Sequence, residues 1–243
     1  AKYHQGVHHA ALKAFQKALQ VYRELEDLTA EVQILIVMTR LNYSLGEYLW
    51  AIDCARQSLA IANLLATKPL MQEALSYLGN SYRHLGDLDK ASDAMDQSLK
   101  LAEELGDTSA TMRALSNLAL IHRTQNNAKV AAQLYENSLA LAESLGDQAT
   151  QEQLLRNLGN TYHALGDSAK AITYYDSLLR FARDRMDHQV VSKILRNLNS
   201  ACYALGDYRR AIAYLQERLE LVRHLGDYRA EAQTLESLGI AYE

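Results

Sequence analysis

The sequence repeats a phrase whose fullest form is Arg156-Asn-Leu-Gly-Asn-Thr-Tyr-His-Ala-Leu-Gly-Asp167. Within it Leu158, Tyr162 and Leu165 have the spacing of one helix edge, and a Gly-Asp pair ends the segment. The phrase also stands eighty residues earlier, at 77–87, and forty residues later, at 197–207. Self-similarity at a fixed period indicates a repeat architecture in which each unit packs against its neighbours.

The turns between segments fall on a grid of twenty residues. Leu-Gly-Asp recurs at 85–87, 105–107, 145–147, 165–167, 205–207 and 225–227. Glycine adopts the left-handed conformation just past a helix end, and aspartate caps the N–H groups of the next helix. The grid predicts helices of about 17 residues joined by short connections, which makes neighbouring helices antiparallel. Asparagine replaces the glycine in Gln125-Asn-Asn127, and we expect a looser turn at Arg185-Met-Asp187.

Alternate segments differ in kind, which doubles the period to forty. Helix A carries a leucine, usually followed by glycine, at Leu78, Leu118, Leu158, Leu198 and Leu238. Helix B carries an alanine in its first turn, at Ala11, Ala51, Ala91, Ala131, Ala171 and Ala211. Four residues later come Phe15, Ala55, Met95, Tyr135, Tyr175 and Leu215, and three further on the small Ala18, Ser58, Ser98 and Ser138. Small residues let two helices approach closely, and the larger residue fills the gap beside them.

The composition agrees with a helical repeat and excludes several function classes. Hydrophobic residues make up 49%, yet there are only two Phe, one Trp and one Pro, which favours helices over a sheet. The net charge of −4 gives no overall attraction to nucleic acid or to an anionic membrane. No apolar run approaches the roughly 20 residues that span a bilayer. The chain begins without Met and stops inside the recurring phrase, so we expect a fragment of a longer protein.

Cys54 and Cys202 are the only cysteines and lie almost four periods apart. In an array of stacked helices they would be much farther apart than the ~7 Å between Cα atoms that a disulfide allows. Two free cysteines suit a reducing compartment, and we predict a cytoplasmic protein.

Leu-Gly-x-x-Tyr followed by Ala-x-x-x-(Phe/Tyr)-x-x-(Ala/Ser) resembles the tetratricopeptide repeat (TPR) over the whole chain. The resemblance implies an all-α fold, a right-handed superhelical solenoid of antiparallel helix pairs. The units here run forty residues and use Gly-Asp, whereas TPR units usually run 34 and end in Pro. Forty-residue units with Asn-Leu-Gly-Asn, complete at 157–160, look similar to those of Pins/LGN-type G-protein signalling modulators and bacterial TPR regulators.

The predicted organisation is a single TPR array over residues 1–243. Residues 1–27 would hold helix B of a truncated repeat, with the helix near 7–25, and residues 228–243 helix A of another. The five complete repeats are predicted at 28–67, 68–107, 108–147, 148–187 and 188–227.

We find no sequence motif for catalysis. The chain has no phosphate-binding glycine loop, nucleophile elbow or Cys/His zinc spacing, so we predict no enzyme activity, no catalytic residues and no cofactor. His4 and His8 have the i,i+4 spacing of helical metal ligands, but Gly6 falls on the turn grid between them. We therefore predict a frayed terminus there and no metal.

The resemblance implies a binding role for the polar residues of helix A, which line the concave groove of TPR proteins. Carried onto this sequence, the predicted peptide-binding residues are Asn80, Arg83, Arg113, Asn117, Arg123, Arg156, Asn157, Asn160, Lys193, Arg196, Asn197 and Tyr203. Arginine offers charge and a planar fork, and asparagine offers a donor and an acceptor to a peptide backbone. Basic residues dominate this set, so the expected partner is an extended, acidic protein segment, with no nucleic acid and no membrane insertion.

Three other interpretations stay open at this stage. The polar face is an ordinary solvated surface in one of them. In another the array is a structural spacer or self-association element, since Leu235, Leu238 and Tyr242 lie on an edge that a further helix B would cover. In the last it is the sensor region of a larger multidomain regulator.

Overall fold

The computed structural model describes the backbone of residues 2–243 and the side chains of residues 8–243. This part of the chain is all-α: it holds twelve helices and no strand. The helices are α1 Lys2–Glu24, α2 Leu28–Ser44, α3 Tyr48–Leu64, α4 Lys68–Leu85, α5 Leu88–Glu104, α6 Thr108–Thr124, α7 Ala128–Ser144, α8 Gln148–Ala164, α9 Ser168–Asp184, α10 His188–Leu205, α11 Tyr208–Leu225 and α12 Tyr228–Tyr242. The predicted fold class is confirmed.

Helix α1 begins earlier than predicted, because Gly6 lies inside it and does not end it. The frayed terminus expected there is therefore wrong for the backbone from Lys2 onward. The His4 side chain, half of the pair weighed as a metal site, lies outside the described side chains.

The turns have the chemistry that the sequence predicts. Aspartate is the N-cap of eight helices, and in each its side chain accepts a hydrogen bond from the backbone N–H three residues on. Asn126 replaces glycine in the left-handed conformation with a φ of 63°. These caps satisfy backbone groups that the ends of a helix would otherwise leave unpaired.

The turn at Arg185-Met-Asp187 keeps the hydrogen bonds of the other turns and is looser in one of them only: the Arg185 N–H donates to the Phe181 carbonyl at 3.3 Å, against 2.9 to 3.1 Å for Leu65 and Leu45 at the equivalent position. Met186 adopts the left-handed conformation, and its N–H donates to the Arg183 carbonyl at 2.9 Å. The Asp187 N–H donates to the Ala182 carbonyl at 3.0 Å, as the equivalent residue does in the glycine turns. Without a glycine, the turn keeps its hydrogen bonds by forcing a side chain into a region that disfavours it.

The chain divides into two compact units, unit 1 from Ala1 to Gln125 and unit 2 from Asn126 to Glu243. In unit 1, helices α1 to α6 pack in sequence around Val32 and Leu35, and farther along around Leu75 and Leu78. In unit 2, helices α7 to α12 do the same around Leu154, Leu158, Leu195 and Leu198.

Close approach of neighbouring helices depends on the small residues of the motif. The first-turn alanines of helix B from Ala51 onward are fully buried. A Cβ atom at Gly79 would lie 2.9 Å from Met95 Cε, and one at Gly159 would lie 2.6 Å from Tyr175 Cδ1. The larger residue of helix B thus occupies the space left by the glycine of helix A, as predicted.

Among the described residues, no helix combines the length and hydrophobicity that crossing a bilayer requires.

Candidate functional site

The candidate site consists of the polar residues that the A helices carry beside their leucine edge. We call these surfaces the helix-A faces: α2, α4 and α6 form one in unit 1, and α8, α10 and α12 form another in unit 2. Residues three or four apart on a helix share a side, so Arg113 with Asn117, Arg156 with Asn160, and Lys193 with Asn197 each form a pair.

On the helix-A face of unit 1, one of the four arginines of α2, α4 and α6 is paired with a carboxylate. Arg40 Nε donates to Glu73 Oε1 at 2.7 Å, and Arg40 Nη2 donates to Glu73 Oε2 at 3.4 Å. The guanidinium therefore contacts both oxygens of the carboxylate. Asn80, Arg113 and Asn117 line the same cleft of about 560 Å³ as this ion pair. Asn80 donates to the Ser76 carbonyl at 3.0 Å, and Arg113 donates to Ser109 Oγ at 2.7 Å.

Arg83 and Arg123 do not line that cleft. Both are half-buried near the ends of their helices. Arg83 contacts His84, which stacks on the Tyr48 ring with centroids 4.4 Å apart and lies 3.2 Å from the Tyr43 hydroxyl. Burial, and then the Arg83 charge, lower the pKa of His84, which keeps this aromatic cluster uncharged at neutral pH.

On the helix-A face of unit 2, the cations have no carboxylate partner among residues 8–243. Arg156, Lys193 and Arg196 are exposed, and none forms an ion pair in the described part of the chain. The Ser200 hydroxyl lies 3.2 Å from His163 Nε2 and links α10 to α8. This face of unit 2 thus presents three exposed cations that form no ion pair within residues 8–243.

The predicted polar residues of this face differ in availability. Asn160 Oδ1 accepts a hydrogen bond from the Tyr175 hydroxyl at 2.7 Å, and burial raises the pKa of that hydroxyl to about 12. Its amide nitrogen is left to bind a ligand. Asn157 and Asn197 are half-buried, and the exposed Tyr203 packs edge-on against Tyr208.

Three acidic residues of unit 2, two of them on B helices, are engaged by other side chains. Glu136 accepts hydrogen bonds from the hydroxyls of Tyr162 and Tyr174, and Asp176 from Tyr214 and Arg210. The buried Glu152 pairs with Arg185 at 2.7 Å. The partners of these three carboxylates do not include Arg156, Lys193 or Arg196.

A second cleft, of about 350 Å³, lies between α10 and α12 in unit 2. It is the counterpart of the unit 1 cleft, since Ser192, Lys193 and Arg196 stand at the positions of Gln72, Glu73 and Ser76. Sequence reasoning named Lys193 and Arg196 but missed Arg218, Arg229 and Gln233, which also line it. One signal in the sequence could have revealed this cleft. Arg218 places a charge at the motif position where earlier B helices have the small residues Ser58, Ser98 and Ser138.

A family model for the tetratricopeptide repeat matches residues 70–144 and 150–224, more than half of the chain. The chain belongs to the tetratricopeptide repeat family. It is therefore a helical repeat scaffold of the kind that mediates protein–protein interactions. A second model, for anaphase-promoting complex subunit 5, matches only residues 2–45. No curated protein sequence matches.

Solved structures share the fold at low sequence identity. BtubC (BKLC) from P. vanneervenii is 23% identical with a TM-score of 0.72, and the match covers 90% of this chain and 92% of that one. A STAND ATPase with a tetratricopeptide repeat sensor from Pyrococcus horikoshii is 19% identical with a TM-score of 0.70. That match covers 95% of this chain but only 34% of the ATPase. Aspartyl phosphate phosphatase F from Bacillus subtilis is 14% identical with a TM-score of 0.67, covering 96% and 65%.

At these identities the likeness concerns the fold alone. None of these structures is a Pins/LGN-type modulator, so the narrower resemblance remains a prediction, as does the division of the helices into repeats of forty.

Proposed function

We propose that this TPR protein is a non-catalytic scaffold whose helix-A face in unit 2 binds an extended acidic segment of a partner protein. The observation that carries the proposal is a set of exposed cations that pair with no carboxylate of residues 8–243: Arg156, Lys193 and Arg196. The binding residues that we assign to this face are Arg156, Asn157, Asn160, Lys193, Arg196, Asn197 and Tyr203.

The chemistry of these residues fits a peptide with carboxylate side chains. Arg156 and Asn160 lie one helical turn apart, as do Lys193 and Asn197, so each pair can engage a carboxylate and the neighbouring backbone together. Arginine binds carboxylates through two parallel hydrogen bonds, which are stronger than neutral ones. Several cations on one surface also raise the local concentration of an anionic segment.

The helix-A face of unit 1 is a weaker candidate. Asn80, Arg83, Arg113, Asn117 and Arg123 remain proposed as peptide contacts there. The Arg40–Glu73 ion pair neutralises part of this surface, and a partner would have to compete with it.

The test uses a fluorescent peptide in which Asp-Glu pairs alternate with Gly-Ser pairs. In the control peptide, Asn-Gln replaces each Asp-Glu pair. Fluorescence anisotropy measures binding to the full chain at several salt concentrations. Losing one charge-assisted hydrogen bond costs about 1.5–3 kcal/mol, so Arg156→Ala and Arg196→Ala should each weaken binding about tenfold or more. Binding should also weaken as salt rises.

The matched control is Arg209→Ala, which removes an exposed arginine from helix B α11 of the same unit. It should leave the affinity unchanged. Equal losses in Arg209→Ala and Arg196→Ala would mean that net charge, and not the helix-A face, determines binding. Equal affinity for the two peptides would reject an acidic partner.

Two other roles remain open. The exposed apolar residues of α12 favour self-association, in which the array acts as a spacer or assembly element. The second role is that of the sensing region of a larger regulator, and it is suggested by the repeat sensor named for the P. horikoshii ATPase. We also propose a cytoplasmic location, supported by two cysteines that are buried and free.

A further inference from the structure

Helix α11 carries one charged side chain in the interior of unit 2. Arg218 is only 4% exposed, although arginine is almost never fully buried unless it is paired. Its Nη1 donates to Thr234 Oγ1 at 2.7 Å, and its Nε lies 3.4 Å from Ser192 Oγ. Both partners are neutral hydroxyls, so the charge itself is not balanced by either.

No carboxylate among the described residues forms an ion pair with Arg218. Asp227 is the one acidic residue that lines the cleft, and its side chain already accepts the Ala230 N–H as the N-cap of α12. Burial, and then the Arg196 charge, lower the pKa of the Arg218 guanidinium, and the Asp227 charge offsets only part of this. A buried cation that no carboxylate contacts is costly unless a ligand supplies the charge.

The equivalent position in unit 1 shows what a purely structural residue does there. Ser98 is fully buried and exchanges hydrogen bonds with Gln72, to its carbonyl oxygen at 3.2 Å and from its Nε2 at 3.0 Å. In unit 2 the pair becomes Arg218 and Ser192, and Leu178 fills the corresponding position of α9 with 1% exposure. Packing of these helices therefore requires no arginine.

Three more cations surround the cleft. Lys193 and Arg196 come from α10, and Arg229 comes from the first turn of α12. The side chains of Gln189 and Gln233 add amide donors. With Arg218 this gives four positive charges against the single, occupied Asp227.

We propose that the Arg218 cleft is a binding site for a doubly charged phosphoryl group. Clusters of arginine and lysine around a cavity of this kind suit three acceptor oxygens and a charge near −2 better than a single carboxylate. The phosphoryl group can come from a phosphorylated side chain of a partner protein or from a small phosphorylated molecule. The site does not depend on the acidic-segment proposal, because its central residue lies on helix B and phosphate can be tested alone.

The experiment titrates the full chain with inorganic phosphate at constant ionic strength, by calorimetry and by thermal denaturation. We expect saturable binding of one phosphate in the millimolar range or tighter, with a rise in Tm that chloride does not give. Arg218→Leu, which installs the residue found at position 178, should abolish the phosphate effect or weaken it at least tenfold. Arg209→Leu, an exposed arginine on the same helix, should keep it.

Further variants keep the test decisive if Arg218→Leu does not fold. Arg218→Lys retains the charge but loses the fork, and should weaken phosphate severalfold, as should Arg229→Gln at the rim. The absence of a saturable phosphate response, or an unchanged affinity in the Arg218 variants, would overturn the site.

A comparison of two peptides identifies the source of the phosphoryl group. A short glycine-flanked phosphoserine peptide is compared with its serine counterpart and with free phosphate. Tighter binding of the phosphopeptide than of phosphate indicates a phosphorylated protein, and equal binding indicates a small molecule; each outcome supports the site.

Discussion

At the scale of single residues, the glycines of the A helices set the spacing between neighbouring helices, because glycine has no Cβ atom. Gly159 of α8 faces the ring of Tyr175 on α9, and a Cβ atom at Gly159 would overlap that ring. Gly79 of α4 faces the flexible end of Met95 at 2.9 Å and the Ala91 carbonyl oxygen at 3.1 Å. Gly239 holds the same motif position in α12, and nothing lies within 4 Å of its Cβ site.

These three glycines predict a graded response to alanine. Gly159→Ala should destabilise unit 2 by about 1–3 kcal/mol, because the rigid ring of Tyr175 cannot move without disturbing the core. Gly79→Ala should cost less, since a methionine side chain adapts more easily. Gly239→Ala should be neutral or stabilise α12 by up to about 1 kcal/mol, because alanine is the better helix former.

Urea denaturation followed by circular dichroism measures these differences. Gly239→Ala serves as the control for helix propensity, since it makes the same change without the contact. A loss of stability at Gly239 as large as that at Gly159 would mean that contact with helix B is not what the motif glycine provides.

At the scale of elements, the connections are uniform although their sequences are not. Glycine occupies the left-handed position of most turns, but Glu26, Ala66, Asn126 and Met186 occupy it in the rest. A left-handed conformation costs an ordinary side chain about 1–2 kcal/mol, and asparagine tolerates it better. The repeat packing of the helices on either side evidently imposes the turn on whichever residue is present.

The strain at Met186 can be relieved. Met186 has a φ of 53° and is 76% exposed, so its side chain contributes little packing. Met186→Gly should stabilise the protein by about 0.5–1 kcal/mol, with a rise in Tm measured by calorimetry. Asn126→Gly is the matched control. It should change the stability by only a few tenths of the gain expected for Met186→Gly, because asparagine tolerates the left-handed conformation.

A lower Tm for Met186→Gly would show that the side chain packs in a way that offsets the backbone strain. Arg185, the neighbour of Met186, pairs with the buried Glu152. If Met186→Gly retains this ion pair, Glu152→Gln should lower the Tm of Met186→Gly as much as it lowers the Tm of the unmodified protein.

At the scale of the whole molecule, the sequence predicts the helices far better than the site. The caps and the grid of twenty are local signals, so the ends of the helices from α2 onward could be placed almost to the residue without any knowledge of packing. Charge pairing is not local: the Arg40–Glu73 contact joins residues 33 positions apart, and it distinguishes the helix-A face of unit 1 from that of unit 2.

Arg218 shows the same limit of prediction from sequence. Its position in the motif is readable from the sequence, but its burial depends on Thr234 and Ser192, which two other helices bring to it. Leu238 was predicted on an uncovered edge, and that is wrong, because it is only 8% exposed. Which apolar residues of a helix are covered depends on its neighbours and not on the period alone.

The residues of α12 that do remain exposed predict self-association. Leu235 is 45% exposed and Tyr242 is 64% exposed, and the open Gly239 lies between them on the same side of the helix. Exposed apolar surface on a repeat helix tends to pair with another apolar surface. We expect the chain to associate with itself as its concentration rises, as measured by sedimentation or light scattering.

A matched pair of substitutions locates the contact. Burying a leucine side chain contributes about 1.5–3 kcal/mol, so Leu235→Glu should weaken the association about tenfold or more. Leu145 has the same 45% exposure but lies in the turn after α7, and Leu145→Glu should leave the association intact. If both variants weaken it equally, the association is non-specific. If the unmodified chain stays monomeric at every concentration, the spacer and assembly role loses its support, and the binding role of the helix-A faces and the sensor role are the interpretations that remain to be tested.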